Sequence, residues 1–278
     1  MRHSRFFWPV LGSVAVVVLS PALELLTGEP AAYSFAVLGL LVLFWILSRM
    51  PRRRMGLTLG DGETHQMALL YPAVLIGAAA LVVYFSGATS PEPINGGAFL
   101  GQILIMAIVT VIGALMTEDG FFRGWLWGSL EGEFGEFTTL VWTGLVFAAW
   151  HLPVVLIEES FRLPMAQIPV YLANVYLIGV NWGVLRLASG SVLPAAISHG
   201  VWNGLVYVLF GYGTQGGLLG VSEVHLYDPE RGWLGVALNG VAFWLLWLWY
   251  QSRLEAVLNE VDGVVGRGPA TSPDDEPG

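Results

Sequence analysis

The chain has 278 residues, of which 55% are hydrophobic and only 12% charged. A soluble domain carries about twice that charged share, so composition excludes an ordinary soluble globule and indicates an all-α polytopic membrane protein. A net charge of −9 argues against a nucleic-acid partner, and the absence of cysteine excludes disulfides, thiolate zinc sites and cysteine nucleophiles.

A spanning helix needs about 20 mostly apolar residues. Eight such segments are predicted, at roughly 6–26, 31–48, 66–87, 97–117, 138–157, 168–187, 191–211 and 232–250. Arg2 and Arg5 precede the first and resemble a signal-peptide start. No small-x-small cleavage site follows, so an uncleaved first helix is expected. The fourth segment is expected to continue as a helix to about Leu130. Breakers separate the segments: GEP at 28–30, MPRRRMG at 50–56 and SGATSPEP at 86–93. The stretch 212–231 is long and glycine-rich, as a mobile cover on the outer side would be. One integral-membrane domain over 1–262 is expected. A polar Pro/Gly-rich tail over 263–278 is expected to be disordered.

All twelve basic residues are arginine, which reads as genome bias and a prokaryotic cell-membrane protein. Arginine placement sets orientation. With both termini cytoplasmic, Arg2, Arg5, Arg49, Arg52, Arg53, Arg54, Arg186, Arg253 and Arg267 all lie inside, leaving Arg162 and Arg231 outside.

Charge is costly at membrane depth and marks function there. Three clusters break the apolar pattern: Glu118, Asp119 and Arg123 in MTEDGFFRGWLW; His151 in FAAWHLP; and His199 with Asn203 in SHGVWNG. Taken one at a time, each also fits a charge cluster ending a helix or a polar side chain hydrogen-bonded between helices. Asp119 and Arg123 are four apart and share a helix face. Glu118 is rotated about 100° away and stays available. In a desolvated cavity it suits a general base. At about 1.5 Å per residue, His199 lies roughly 12 Å and His151 roughly 20 Å from the cytoplasmic ends of their helices. Convergence in the cytoplasmic half is therefore expected. His3, His65 and His225 lie in terminal or loop sequence and read as surface residues.

A carboxylate, two imidazoles and a carboxamide suit peptide-bond hydrolysis. Glu118 with His151 would deprotonate a water, and His199 with Asn203 would donate to the tetrahedral oxyanion. Alternatively, Glu118, His151 and His199 form an open zinc shell whose bound water is the nucleophile. The residue types leave both mechanisms open.

The order EDxxxR, FxxxH, HxxxN resembles the CPBP family, also called ABI. Its members are intramembrane proteases that include the type II CAAX prenyl endopeptidases and bacteriocin-processing or immunity proteins. The matching residues are Glu118, Asp119 and Arg123; Phe147 and His151; His199 and Asn203. The resemblance covers roughly 97–211 and implies an endopeptidase acting on membrane-associated peptides or proteins in the lipid bilayer. It implies that Glu118 is the catalytic acid, and either a bound zinc or a metal-independent glutamate mechanism. The family usually carries two glutamates in its first motif. Asp119 is one methylene shorter and is expected to sit differently against Arg123.

Other protease classes fit less well. LASGS at 187–191 lacks the first glycine of a rhomboid GxSG turn, Asp61 lies in a polar loop, and HExxH is absent. The competing readings are a non-catalytic immunity or scaffold protein of the same fold, and a small transporter with a proton relay. No pair of matching interrupted helices supports the latter.

Overall fold

The computed structural model describes residues 6–91 and 96–265. Among them, eight helices are long and apolar enough to cross a membrane, one at each predicted segment. They include α1 (Phe7–Thr27), α2 (Ala31–Ser48), α3 (Gly62–Ser86) and α4 (Gly96–Met116). The α4 span runs on through a π-helix (Gly120–Leu126) and α5 (Trp127–Phe134), a few residues past the predicted end. Then follow α6 (Glu136–Ile157), α7 (Ile168–Ser189), α8 (Val192–Leu209), the short α9 (Val224–Tyr227) and α10 (Trp233–Val265). Residues 263–265 finish α10 rather than opening the tail, and the rest of that tail lies outside the described residues.

With no water in the hydrocarbon, each span satisfies its own backbone, and packing then sorts the helices. Most of α7 is buried and forms the centre; in α4, up to Met116, Ala114 alone is buried, and Leu104, Ile105, Ile108, Val109 and Ile112 face out at the edge. What brings α4 inward is α8. A Cβ on Gly200 would lie 2.5 Å from the Ala107 carbonyl oxygen, and one on Gly204 2.8 Å from that of Ile103. Small residues four apart let two membrane helices touch backbone to backbone. Along HGVWNG, the glycines face α4 while His199 and Asn203 turn elsewhere.

The bundle has two unlike ends. One carries the 49–61 connection and the α7–α8 turn, tied by Val192 N donating to the Gly56 carbonyl at 3.0 Å. Arg186 reaches the same connection, donating to Arg54 O at 3.2 Å, and Arg253 pairs with Asp61 at 3.2 Å. The other end carries the turn at 28–30, the α6–α7 connection and residues 210–232. There the glycine-rich stretch folds into a cap. Strands β1 (Gly211–Tyr212) and β2 (Gln215–Gly216) form an antiparallel hairpin, and Thr89 bridges to Val221. Asp228 accepts from the backbone N–H of Glu230 (2.9 Å) and Arg231 (2.8 Å) and pairs with the Arg231 guanidinium at 2.6 Å.

Candidate active site

Asp119 is fully buried and serves two partners. One oxygen lies 3.2 Å from Arg123 and the other 3.1 Å from Nδ1 of His199. The first contact was legible as an i,i+4 pair; the second requires the α4–α8 contact. The shorter acid thus reaches both groups at once. Its oxygen toward Arg123 lacks hydrogen-bond alignment, so that contact is an ion pair only. Arg123 is held from three further sides. It donates to the Gly179 carbonyl at 3.1 Å, lies over the Phe147 ring at 4.1 Å from its centroid, and lies 5.2 Å from that of Trp182. A Cβ on Gly179 would meet Phe147 at 2.9 Å and Arg123 at 3.1 Å, so glycine makes room for both.

The π-helix begins at Gly120, directly after this acid pair. Its wide turn carries the chain from Glu118 and Asp119 into the buried run Phe121–Trp127. Such segments recur at functional sites.

Glu118, His151, His199 and Asn203 line one cavity of about 160 Å³. The sequence-predicted residues that reach it are therefore these four; Asp119 and Arg123 lie behind its wall. In each histidine Nδ1 is engaged, by the Phe147 carbonyl at 2.8 Å in His151 and by Asp119 in His199. Each ring thus has Nε2 free for the cavity, with the tautomer set by its partner. His199 also stacks on Trp182, centroids 4.1 Å apart.

Several lining residues gave no sequence signal. Tyr33, Tyr171, Trp182 and Tyr207 sit in apolar runs and read as bulk, while Glu158, Tyr212 and Glu230 sit in connections. The Tyr33 hydroxyl donates to the Trp150 carbonyl, fixing α2 against α6 beside His151. Glu230 accepts from Trp202 Nε1 at 3.2 Å. Burial, and then the neighbouring Asp228 charge, push the Glu230 carboxyl up to about 7.

His199 lies about 10 Å from the arginine end of α8 and His151 about 22 Å from that end of α6, close to the expected depths, which leaves His151 only about 9 Å from the opposite end. The cavity is lined by Pro30, Glu158, Phe161, Tyr212 and Glu230, all in connections at the end away from the arginines. No residue of 49–61 lines it. The cavity thus lies toward the end opposite the arginines.

A zinc shell was the alternative for Glu118, His151 and His199. Among the described residues no three His, Asp or Glu side chains are grouped to hold one metal ion. The nearest carboxylate to His199 is Asp119, which is already committed to Arg123.

Residues 100–205 match the family model described as type II CAAX prenyl endopeptidase Rce1-like. The chain is also 24% identical over 138 residues to the CAAX prenyl protease 2 of Methanococcus maripaludis, covering 47% of this chain and 51% of that protein. It spans about half the length of that relative. All six residues singled out above fall inside the matched segment. Over residues 100–205 the chain is similar to the type II CAAX prenyl endopeptidases.

Proposed function

We propose that the protein is an intramembrane endopeptidase in which Glu118 activates water for attack on a peptide bond. The observation that carries this reading is the shared cavity. Glu118, His151, His199 and Asn203 face one space, while an ion-paired Asp119 holds His199 from behind. Glu118 would take the proton of the attacking water, with Nε2 of His151 holding that water in line. The Asn203 amide donates to the developing oxyanion, and His199, when protonated, donates from Nε2 with Asp119 as its counter-ion. Glu118 then passes its proton to the leaving amine. Each step uses side chains of this chain alone.

The mouth gives the reading a side. Exposed arginines crowd the opposite end, so the positive-inside tendency turns the mouth to the extracytoplasmic face. Substrates are then membrane-associated peptides presented from that side, in place of the cytoplasmic access expected from depth alone. The relative is named as a prenyl protease; nothing in the cavity calls for a prenyl group, and the substrate class here is left as peptide.

The test is cleavage of a quenched peptide pool by purified protein in detergent. Glu118→Gln keeps the shape and removes the base, so the rate should fall by at least about 10²-fold, the low end of general-base contributions, with the melting temperature unchanged. Chelator should have no effect. Near-wild-type cleavage by the variant would sink the mechanism, and zinc-restored cleavage after chelation would return the metal alternative.

A further inference from the structure

The cavity holds more than its candidate catalytic groups. Between them and the mouth stand four aromatic rings in a chain. Phe161 lies 5.2 Å from Tyr171 and 5.0 Å from Tyr212, and Tyr212 lies 4.7 Å from Tyr207, centroid to centroid. Two carboxylates, Glu158 and Glu230, line the same space. Burial first, and then the charges of Glu158 and Glu230, push the Tyr212 hydroxyl up, so both acids act on that ring. No arginine lines the cavity. Arg231, next in sequence to Glu230, is buried and spent on Asp228 and the Gly213 carbonyl.

Aromatic faces around a carboxylate are the chemistry that recognises an ammonium or guanidinium group. A terminal carboxylate placed here would meet the like charges of Glu158 and Glu230. We propose that the mouth is a subsite for a basic side chain, lysine or arginine, of the peptide whose bond reaches Glu118. In it Glu230 and Glu158 supply the charge, and Phe161, Tyr171, Tyr207 and Tyr212 supply the ring faces. The inference rests on the peptidase reading and deepens it by giving the substrate a charge. A half-buried carboxylate that accepts from an indole N–H keeps further lone pairs for a bound cation. The cation is also carried past the rim at Tyr212, which is 38% exposed, toward Tyr171, which is 3% exposed.

The experiment measures binding apart from cleavage. Glu118→Gln protein, in maltoside micelles free of amine headgroups, is titrated with two labelled peptide pools, identical except for one arginine or its neutral isostere citrulline. The arginine pool should bind about tenfold more tightly, the scale of a desolvated cation–π contact plus a charge. Adding Glu230→Gln should remove most of that ratio while leaving citrulline binding in place. Tyr212→Leu, at the exposed rim where folding is not at risk, should reduce it severalfold. Equal binding of the two pools, binding of neither, or a ratio that survives Glu158→Gln/Glu230→Gln overturns the subsite. If wild-type protein cleaves no peptide yet the ratio is present, the peptidase reading fails and the subsite stands.

Discussion

Asp61 and Glu230 sit just outside the spans, at opposite ends of the bundle, and their carboxyls are shifted in opposite directions. Burial of Asp61 raises its carboxyl, but hydrogen bonds from the Thr64 backbone and side chain, with Arg253 alongside, outweigh this and hold it low. Burial of Glu230 is reinforced by Asp228, and Arg231 and Trp202 only partly offset the rise to about 7. One end spends its acids on internal cations and closes. The other keeps an acid undercompensated beside a cavity. The two ends thus differ in how fully the carboxylates Asp61 and Glu230 are offset by neighbouring donors and cations.

The sharpest way to break that contrast is to ask which end meets which compartment. The chain has no cysteine, so single cysteines report cleanly. Ser222→Cys in the exposed cap should react fully with a membrane-impermeant maleimide on intact cells, and Arg52→Cys should react only after lysis. The reverse pattern would place the mouth in the cytoplasm. Next in size is the pair behind the cavity wall. Arg123→Ala leaves Asp119 buried without its ion partner and should cost about 3–5 kcal/mol, read as a lowered unfolding midpoint together with lost activity. A midpoint within error of wild type would mean that Phe147, Trp182 and Gly179 hold the wall without the charge. Glu230 gives the smallest effect. Its folded value, about 7, lies above the ordinary 4.5. Its contribution to stability is therefore present in full below the ordinary value and is lost as pH rises through about 7. Glu230→Gln should flatten that fall in unfolding curves taken from pH 5 to 8; an unchanged slope would assign the fall to other groups.

Much of this was legible in the chain. Runs of apolar residues fixed all eight spans, because the bilayer demands length and hydropathy and little else. Glu118, His151, His199 and Asn203 stood out because polar groups are rare at that depth, and they do share one space. The Asp119–His199 contact was hidden, since it depends on Gly200 and Gly204 letting α8 meet α4, and sequence spacing carries no such distance. Tyr171 and Tyr207 were invisible for the opposite reason: in an apolar helix a tyrosine reads as bulk. Glu230 lay in a stretch that looked like a bare loop, where Asp228 and Arg231 in fact build a folded turn. Helix-end arithmetic gave the depth of each histidine along its own helix, but it says nothing about which neighbouring connections line the cavity.

The π-helix at Gly120–Leu126 has a consequence for how this chain can vary. Its wide turn accommodates one residue more than a regular helix over the same rise. Deleting a single residue there would let the segment relax to ordinary helix while turning Glu118 and Asp119 by about 100° relative to the buried aromatic run that follows. Substitution within the segment alters packing, whereas a change in its length resets the angular phase of the acid pair. Over these seven residues the number of residues, more than their identity, sets the direction of the acid pair.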